Sequence, residues 1–335
     1  MLSRTCHPQR MTDYVFCARF PGMQMSTLRL PDADSIVSFY EETTGMQPDY
    51  LQLSRGPGGL SNKVVELGGV TLIWAAANGR ARWRDQITEA GFQFGCMVES
   101  QGPVRFLGRE IEANEAAVWL PGQEVDYVLE GPYLSLEIGV SETLVQERGW
   151  APTGNPLGHV PAPVMSRLIQ ACRSISSESP QPATASGTTA SDTDEPRERV
   201  MTLLDAALDP WHASSENNSQ SRRRELRFRQ LVRRADQFMD GLAGEPLDLA
   251  ALAAHTGASR RTLHRAYEDQ LGVGPRRYYE LKRLDMLRSR LKTGNAAEHT
   301  ITELATKLGF HDLGRLAATY RAHYGEYPRD TLINT

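Results

Sequence analysis

Apolar and polar positions along the chain fall into two regimes. Between residues 26 and 145 the apolar residues come in short runs: Lys63-Val-Val-Glu-Leu67, Val70-Thr-Leu-Ile-Trp74, Phe92-Gln-Phe94, Ala117-Val-Trp-Leu120 and Leu134-Ser-Leu-Glu-Ile138. These runs are rich in β-branched and aromatic side chains, which pack well on a pleated surface. Turn-forming pairs such as Gly68-Gly69, Gly102-Pro103, Pro121-Gly122 and Gly131-Pro132 separate them. Many short strands so punctuated predict an all-β barrel or sandwich over 26–150. Pro31 to Thr43 is the exception, a predicted helix with Ile36, Val37 and Tyr40 on one stripe.

From Arg222 to about residue 332 the spacing changes to that of helices. Leu226, Leu231, Val232 and Phe238 recur at helical intervals before Gly241 and Gly244. A short apolar-periodic helix follows from Leu247 and stops at Gly257. Ser259 then caps a second helix, Arg260 to Leu271, closed by Gly272. Two helices joined by Gly257-Ala258-Ser259 form a helix-turn-helix, whose second helix enters the DNA major groove. The pattern recurs. Leu252 and Gly257 realign with Leu304 and Gly309, while Leu263, Tyr267, Gly272 and Pro275 realign with Leu316, Tyr320, Gly325 and Pro328. The one-residue slip falls in the turn, where an insertion costs least. Pro275 to Leu291, with Tyr278, Leu281, Leu284 and Leu287 as a core stripe, predicts a long helix joining the two copies.

Ser174 to Pro196 is the seam. Of its 23 residues 13 are Ser, Thr or Pro, and Ile175 is the one large apolar side chain, so the segment predicts a flexible linker. Residues 197–220 predict a short helix, Arg197 to Leu208, and a polar loop. The whole is an α+β multidomain chain.

Charge follows the same division. Residues 1–220 hold 16 basic against 27 acidic residues, and residues 221–335 hold 21 against 14. A basic module attached to an acidic one suits a polyanionic partner for the C-terminal part, although solvated helix faces also account for it. The longest apolar run, Val70 to Ala77, is far short of a membrane span, and Val15 to Ala18 is too short for a signal-peptide core. Cys6, Cys17, Cys96 and Cys172 form no C-x-x-C pair. These features predict a cytoplasmic protein with no membrane partner.

G-A-S-x-x-x-L-x-R-x-Y over 257–267 and G-F-x-D-x-x-x-L-x-x-x-Y-x-x-x-x-G-x-x-P over 309–328 resemble the AraC/XylS family of bacterial transcription regulators. The resemblance covers about 225–332. It implies a double helix-turn-helix DNA-binding domain paired with an N-terminal effector-sensing or dimerising domain, often a cupin-like barrel. It also implies a homodimer that binds promoter or operator DNA, and most such regulators activate transcription by recruiting RNA polymerase. His311-Asp-Leu-Gly-Arg315 with Tyr324-Gly-Glu-x-Pro328 looks like the branch containing ethanolamine-utilisation regulators.

Leu263, Ala266 and Tyr267 are the expected buried face of the first recognition helix; Arg260, Arg261, His264, Arg265 and Glu268 lie opposite. The resemblance assigns base reading to Arg261, His264 and Arg265, and arginine suits bidentate bonding to guanine. Ser259 and Arg260 are placed for phosphates, which position rather than specify, and Thr262 is a further DNA-binding candidate. Arg265 could instead pair with Asp269 at i,i+4. The second recognition helix departs from the family, since Leu313, Gly314, Ala317 and Ala318 stand where Arg260, Arg261, His264 and Arg265 do. Asp312 and Arg315 are its only charged candidates at that end, so it reads backbone and groove shape, or thymine methyls through Leu313 and Ala317.

In the N-terminal half, Arg80-Ala-Arg82-Trp83-Arg84 with Trp74 and Trp119 carries two readings. Trp74, Arg82, Trp83 and Trp119 form a pocket for an anionic or aromatic effector, or the tryptophans are core and the arginines one exposed edge. Of eight histidines only His7 precedes residue 159, so the strands hold no H-x-H ligand set. No metal, cofactor or catalytic residue is expected, and the chain reads as a non-enzyme. Two alternatives stand beside the regulator: a non-specific architectural DNA-binding protein, and a barrel enzyme with an appended DNA-binding domain.

Overall fold

A computed structural model describes residues 28–30, 33–44, 48–56, 58–86, 91–150, 156–178, 191–209, 220–293 and 300–333. The N-terminal half opens with β1 (Leu28–Leu30), α1 (Ala33–Thr44), β2 (Asp49–Gln52), β3 (Leu60–Glu66), β4 (Val70–Ala77), β5 (Arg80–Gln86) and β6 (Gly91–Ser100). It continues through β7 (Arg105–Phe106), β8 (Arg109–Glu110), β9 (Glu115–Trp119), β10 (Glu124–Glu130), β11 (Tyr133–Ser141), α2 (Glu142–Arg148) and β12 (Leu157–His159). These strands form a seven-stranded sheet, β1-β3-β4-β11-β6-β9-β12, and a five-stranded one, β2-β5-β10-β7-β8. All their pairings are antiparallel, and among the described residues no strand pairing joins the two sheets. Of the two expected architectures this is the sandwich.

Both faces of both sheets are covered, and period-two alternation sorts each side chain to one side. Between the sheets Tyr50, Trp83, Phe106 and Val125 meet Leu60, Ala75, Trp119 and Tyr133. The outer face of the seven-stranded sheet carries Leu72, Trp74, Leu134, Leu136 and Ile138, packed beneath α3 (Ala162–Glu178) and α4 (Ser191–Leu208). Trp74 donates its indole N–H to Ser176 Oγ at 2.8 Å.

The predicted linker over 174–196 is therefore corrected at both ends. Ser174 to Glu178 is the last turn of α3 and Ser191 to Pro196 begins α4; residues 179–190 lie outside the described residues. Composition misled because two residues within the polar run are core: Ile175 and Ser176 are both buried under the sheet. Met165, Leu168, Cys172 and Ile175 recur on one helical stripe, a signal present in the sequence. The predicted helix over Arg197 to Leu208 lies within α4, while most of the polar loop, 210–219, falls outside the described residues.

The C-terminal half is helical: α5 (Gln220–Asp240), α6 (Leu249–Thr256), α7 (Arg260–Leu271), α8 (Pro275–Thr293), α9 (Ile301–Lys307), α10 (Leu313–Tyr324) and α11 (Pro328–Ile333). The long helix α8 buries Tyr278, Leu281, Leu284, Leu287 and Leu291, the stripe read from the sequence plus one turn. One apolar cluster holds these residues, Leu231 and Val232 of α5, Leu263 and Tyr267 of α7, and Leu316 and Tyr320 of α10. Leu51, Leu53 and Val128 of the five-stranded side belong to the same cluster. The helical half thus docks on the outer face of that sheet.

Candidate nucleic-acid interface and inter-sheet cavity

Helix α6 starts at Asp248, whose carboxylate accepts from Ala250 N–H at 2.7 Å, and ends at Gly257 with φ +66°. That left-handed turn is cheap for glycine and aims the chain into α7. Ser259 Oγ accepts the Thr262 amide at 3.1 Å and lies 2.8 Å from Thr262 Oγ1, which fixes the first turn of α7. Gly272, φ +67°, closes α7 beneath Arg80, which donates Nη1 to the Gly272 carbonyl at 3.3 Å. A side chain at 272 would meet that guanidinium at about 2.1 Å.

On α7 the expected division of faces is present. Leu263, Ala266 and Tyr267 are buried, while Arg260, Arg261, His264 and Arg265 are exposed together. Asp269 pairs with Arg224 at 2.9 Å rather than with Arg265, so among the described residues no ion pair holds Arg265. His264 Nε2 stands 3.9 Å from Glu268 Oε1, a loose contact between two exposed groups. The first two turns of the helix therefore present three arginines, a histidine and the exposed Ser259 cap to solvent. Thr262 is half-buried and serves the cap.

The second copy begins with a capping box: Thr300 Oγ1 accepts from Glu303 N–H, and Glu303 accepts from Thr300 N–H. Asp312 caps α10, its carboxylate accepting the Arg315 amide at 2.9 Å. That bond already engages Asp312, and as an anion it would repel phosphate, so we assign it to capping. Leu313, Gly314, Arg315 and Ala318 are exposed, and half-buried Ala317 sits with Leu313, Ile301 and Tyr327 around an open groove. Of the polar readout available to α7, this face retains Arg315 alone at the helix start.

The four N-terminal candidates separate. Trp83 and Trp119 line a cavity of about 50 Å³ between the sheets. Trp74 faces the other way, under α3. Arg82 leaves the cavity side of β5 because its neighbour Trp83 occupies it, and at 3% exposure it is sealed against the helical half. Arg80, Arg82 and Arg84 share this outer face, so the expected exposed edge is an interdomain seam. Arg82 donates Nη1 to Asp236 Oδ2 at 2.6 Å and to Tyr278 Oη at 2.8 Å, and its Nε and Nη2 hold Asp126. Arg229 and Arg233 reach Glu124, Gln270 donates to the Gly108 carbonyl, and Gln52 donates to the His323 carbonyl.

The charged residue of the cavity was not foreseen. Glu137 of β11 lines the cavity with Tyr40, Tyr127 and Tyr133, and burial pushes its carboxyl up to about 7. Burial, with the nearby Glu137 charge adding to it, also holds these three phenols well above their ordinary value. The alternation Leu134-Ser-Leu-Glu-Ile138 puts Ser135 and Glu137 on one face but does not say what covers it. Among the described residues no group of three or more His, Cys, Asp or Glu is arranged to hold a metal ion, and no helix is long and apolar enough to cross a membrane.

A family model described as a helix-turn-helix domain matches residues 252–333. The XylDLEGF operon transcriptional activator 3 of Pseudomonas putida is 35% identical over 99 residues, 30% of this chain and 30% of that protein. The probable thc operon regulatory protein of Rhodococcus erythropolis is 31% identical over 102 residues, 30% of this chain and 31% of that protein. The chain therefore spans less than a third of the length of either curated relative. The solved structure of the AraC-like transcriptional activator CuxR covers 84% of this chain and 100% of its own, at 12% identity and a TM-score of 0.41. The doubled motif and the sequence matches coincide: residues 252–333 match a helix-turn-helix domain and are similar to the corresponding segments of these transcriptional regulators.

Proposed function

We propose that the chain is a cytoplasmic, sequence-specific DNA-binding regulator that activates transcription, with its N-terminal sandwich sensing a small-molecule effector. The observation that carries this reading is the face of α7. Arg260, Arg261, His264 and Arg265 stand exposed around one capped helix start, and among the described residues no carboxylate lies closer to them than the loose Glu268 contact. Arg261, His264 and Arg265 reach base edges, Arg260 and Ser259 fix the helix on phosphates, and α10 follows the groove through Leu313, Arg315 and Ala317. Homodimerisation and contact with RNA polymerase complete the proposal.

The test is equilibrium binding of the full chain to duplex DNA flanking its gene, against a scrambled duplex, over a salt series. The regulator reading expects a preference of at least ~10³ and a steep fall with salt. A ratio near one would replace it with the architectural reading, towards which the α10 face, with Arg315 as its one cation at the helix start, leans. Sedimentation in the same buffer reports whether a dimer is present.

A further inference from the structure

The cavity between the sheets has a chemical character opposite to the one the arginine cluster suggested. Among its described lining residues Glu137 is the only charged group. No hydrogen bond or ion pair among the described residues reaches its carboxylate, although β11 is a central strand with β4 and β6 on either side. Around it stand the rings of Tyr40, Trp83, Trp119, Tyr127 and Tyr133. They are packed in place edge to face: Tyr40 and Trp83 have centroids 4.5 Å apart, and Trp119 and Tyr127 5.7 Å apart. The arginines that could have neutralised Glu137 project from the opposite face of β5. A lone carboxylate in a wall of aromatic faces is a poor site for an anion. Ring quadrupoles attract cations, and the desolvated carboxylate supplies the matching charge.

We propose that this cavity binds a small organic cation, a protonated alkylamine or a quaternary ammonium, with Glu137 as counter-ion and the rings of Trp83, Trp119 and Tyr127 as its walls. The inference deepens the effector reading above and rests on it for its biological meaning. Size limits the ligand. A free space of about 50 Å³ has room for about four water centres, hence for a molecule of roughly six non-hydrogen atoms. The groups facing Glu137 are Tyr40 on α1, Cys96 on β6, Tyr127 on β10 and Tyr133 on its own strand, and burial keeps all four neutral well above pH 8. Glu137 is thus the group whose ionisation sets the charge of the empty cavity near neutrality.

The experiment titrates the full chain with tetramethylammonium and n-butylammonium chlorides at constant ionic strength. Tert-butanol and n-butanol serve as neutral isosteres and isobutyrate as an anion, with binding read by calorimetry. At least one cation should bind tenfold or more tighter than its isostere, and which of the two does so distinguishes a quaternary from a primary ammonium. Both probes stay charged from pH 8 to pH 6, so affinity should fall about tenfold over that range as Glu137 takes up a proton. Glu137→Gln should abolish the preference for the cation while leaving tert-butanol or n-butanol binding in place. Equal binding of cation and isostere by the unaltered chain, preference for isobutyrate, or an unchanged preference in a folded Glu137→Gln variant would each overturn the proposal. Operator binding measured on the same preparation without probe separates failure of the regulator reading from failure of the ligand assignment.

Discussion

Arg82 and Asp236, 154 residues apart in sequence, meet at 2.6 Å with side-chain exposures of 3% and 1%. Neither could be buried alone. Arg82 is held by Asp126 and Tyr278 as well, and Asp236 also accepts from Arg84 at 3.3 Å and from the Tyr267 hydroxyl at 3.0 Å. Removing one member leaves uncompensated charge, whereas a matched apolar pair is often tolerated.

Arg82→Met should therefore lower stability by about 3–5 kcal/mol in urea titration, and Asp236→Leu by a similar amount. The double variant should lose clearly less than the sum. Additive losses would mean that the two side chains stabilise the seam independently.

On the DNA side, Arg261→Ala and Arg265→Ala should each cost about 1–3 kcal/mol on the preferred duplex and relax discrimination at one base pair. Arg260→Ala should weaken all duplexes alike and reduce the salt slope by about 1. Competition against single-base variants of the preferred site distinguishes the two behaviours. Equal losses on every sequence for Arg261→Ala would demote it to a phosphate contact.

His323 is fully buried in α10, edge to face with Tyr324, and burial above all, with Arg277 adding to it, pushes its imidazole down to about 4. Its folded pKa lies below the unfolded 6.5, so its contribution is complete above 6.5 and is lost as pH falls towards 4. Up to about 3 kcal/mol should disappear over that window. His323→Gln should flatten the pH dependence of the melting temperature between pH 4 and 6.5.

Glu137 works in the opposite sense. Its folded value, about 7, lies above the unfolded 4.5, so its contribution is complete below 4.5 and is lost as pH rises through 7. The stability of Glu137→Gln relative to the parent should rise by up to about 3 kcal/mol between pH 4 and pH 8. A difference that stays constant with pH would place the carboxyl in contact with solvent.

The helical half was legible because its signals are local. Ser259, Gly257 and Gly272 mark the ends of α6 and α7 within a few residues, and repetition of the pattern separates it from chance. In the sandwich, alternation along β4 and β5 correctly paired positions, yet could not say what covers each face. Trp74 and Trp83 look alike in sequence; one lies under α3 and the other in the cavity. Arg80, Arg82 and Arg84 read as a solvated edge because their partners Gly272 and Asp236 arrive about 150 residues or more later in the chain. Glu137 was missed for the same reason, since a polar face that is internal has the same period as one that meets water.

Leu51, Leu53 and Val128 lie in the same apolar cluster as Leu231, Tyr278 and Tyr267. The boundary between the halves is thus a boundary in sequence and not in packing. A reporter chimera that grafts α5 to α11 onto a foreign sensor inherits an unfinished surface, with the Asp236 carboxylate stripped of its donors Arg82 and Arg84 and the apolar underside of α8 exposed to water. To transplant the helical half intact, the outward faces of β2, β5 and β10 must travel with it.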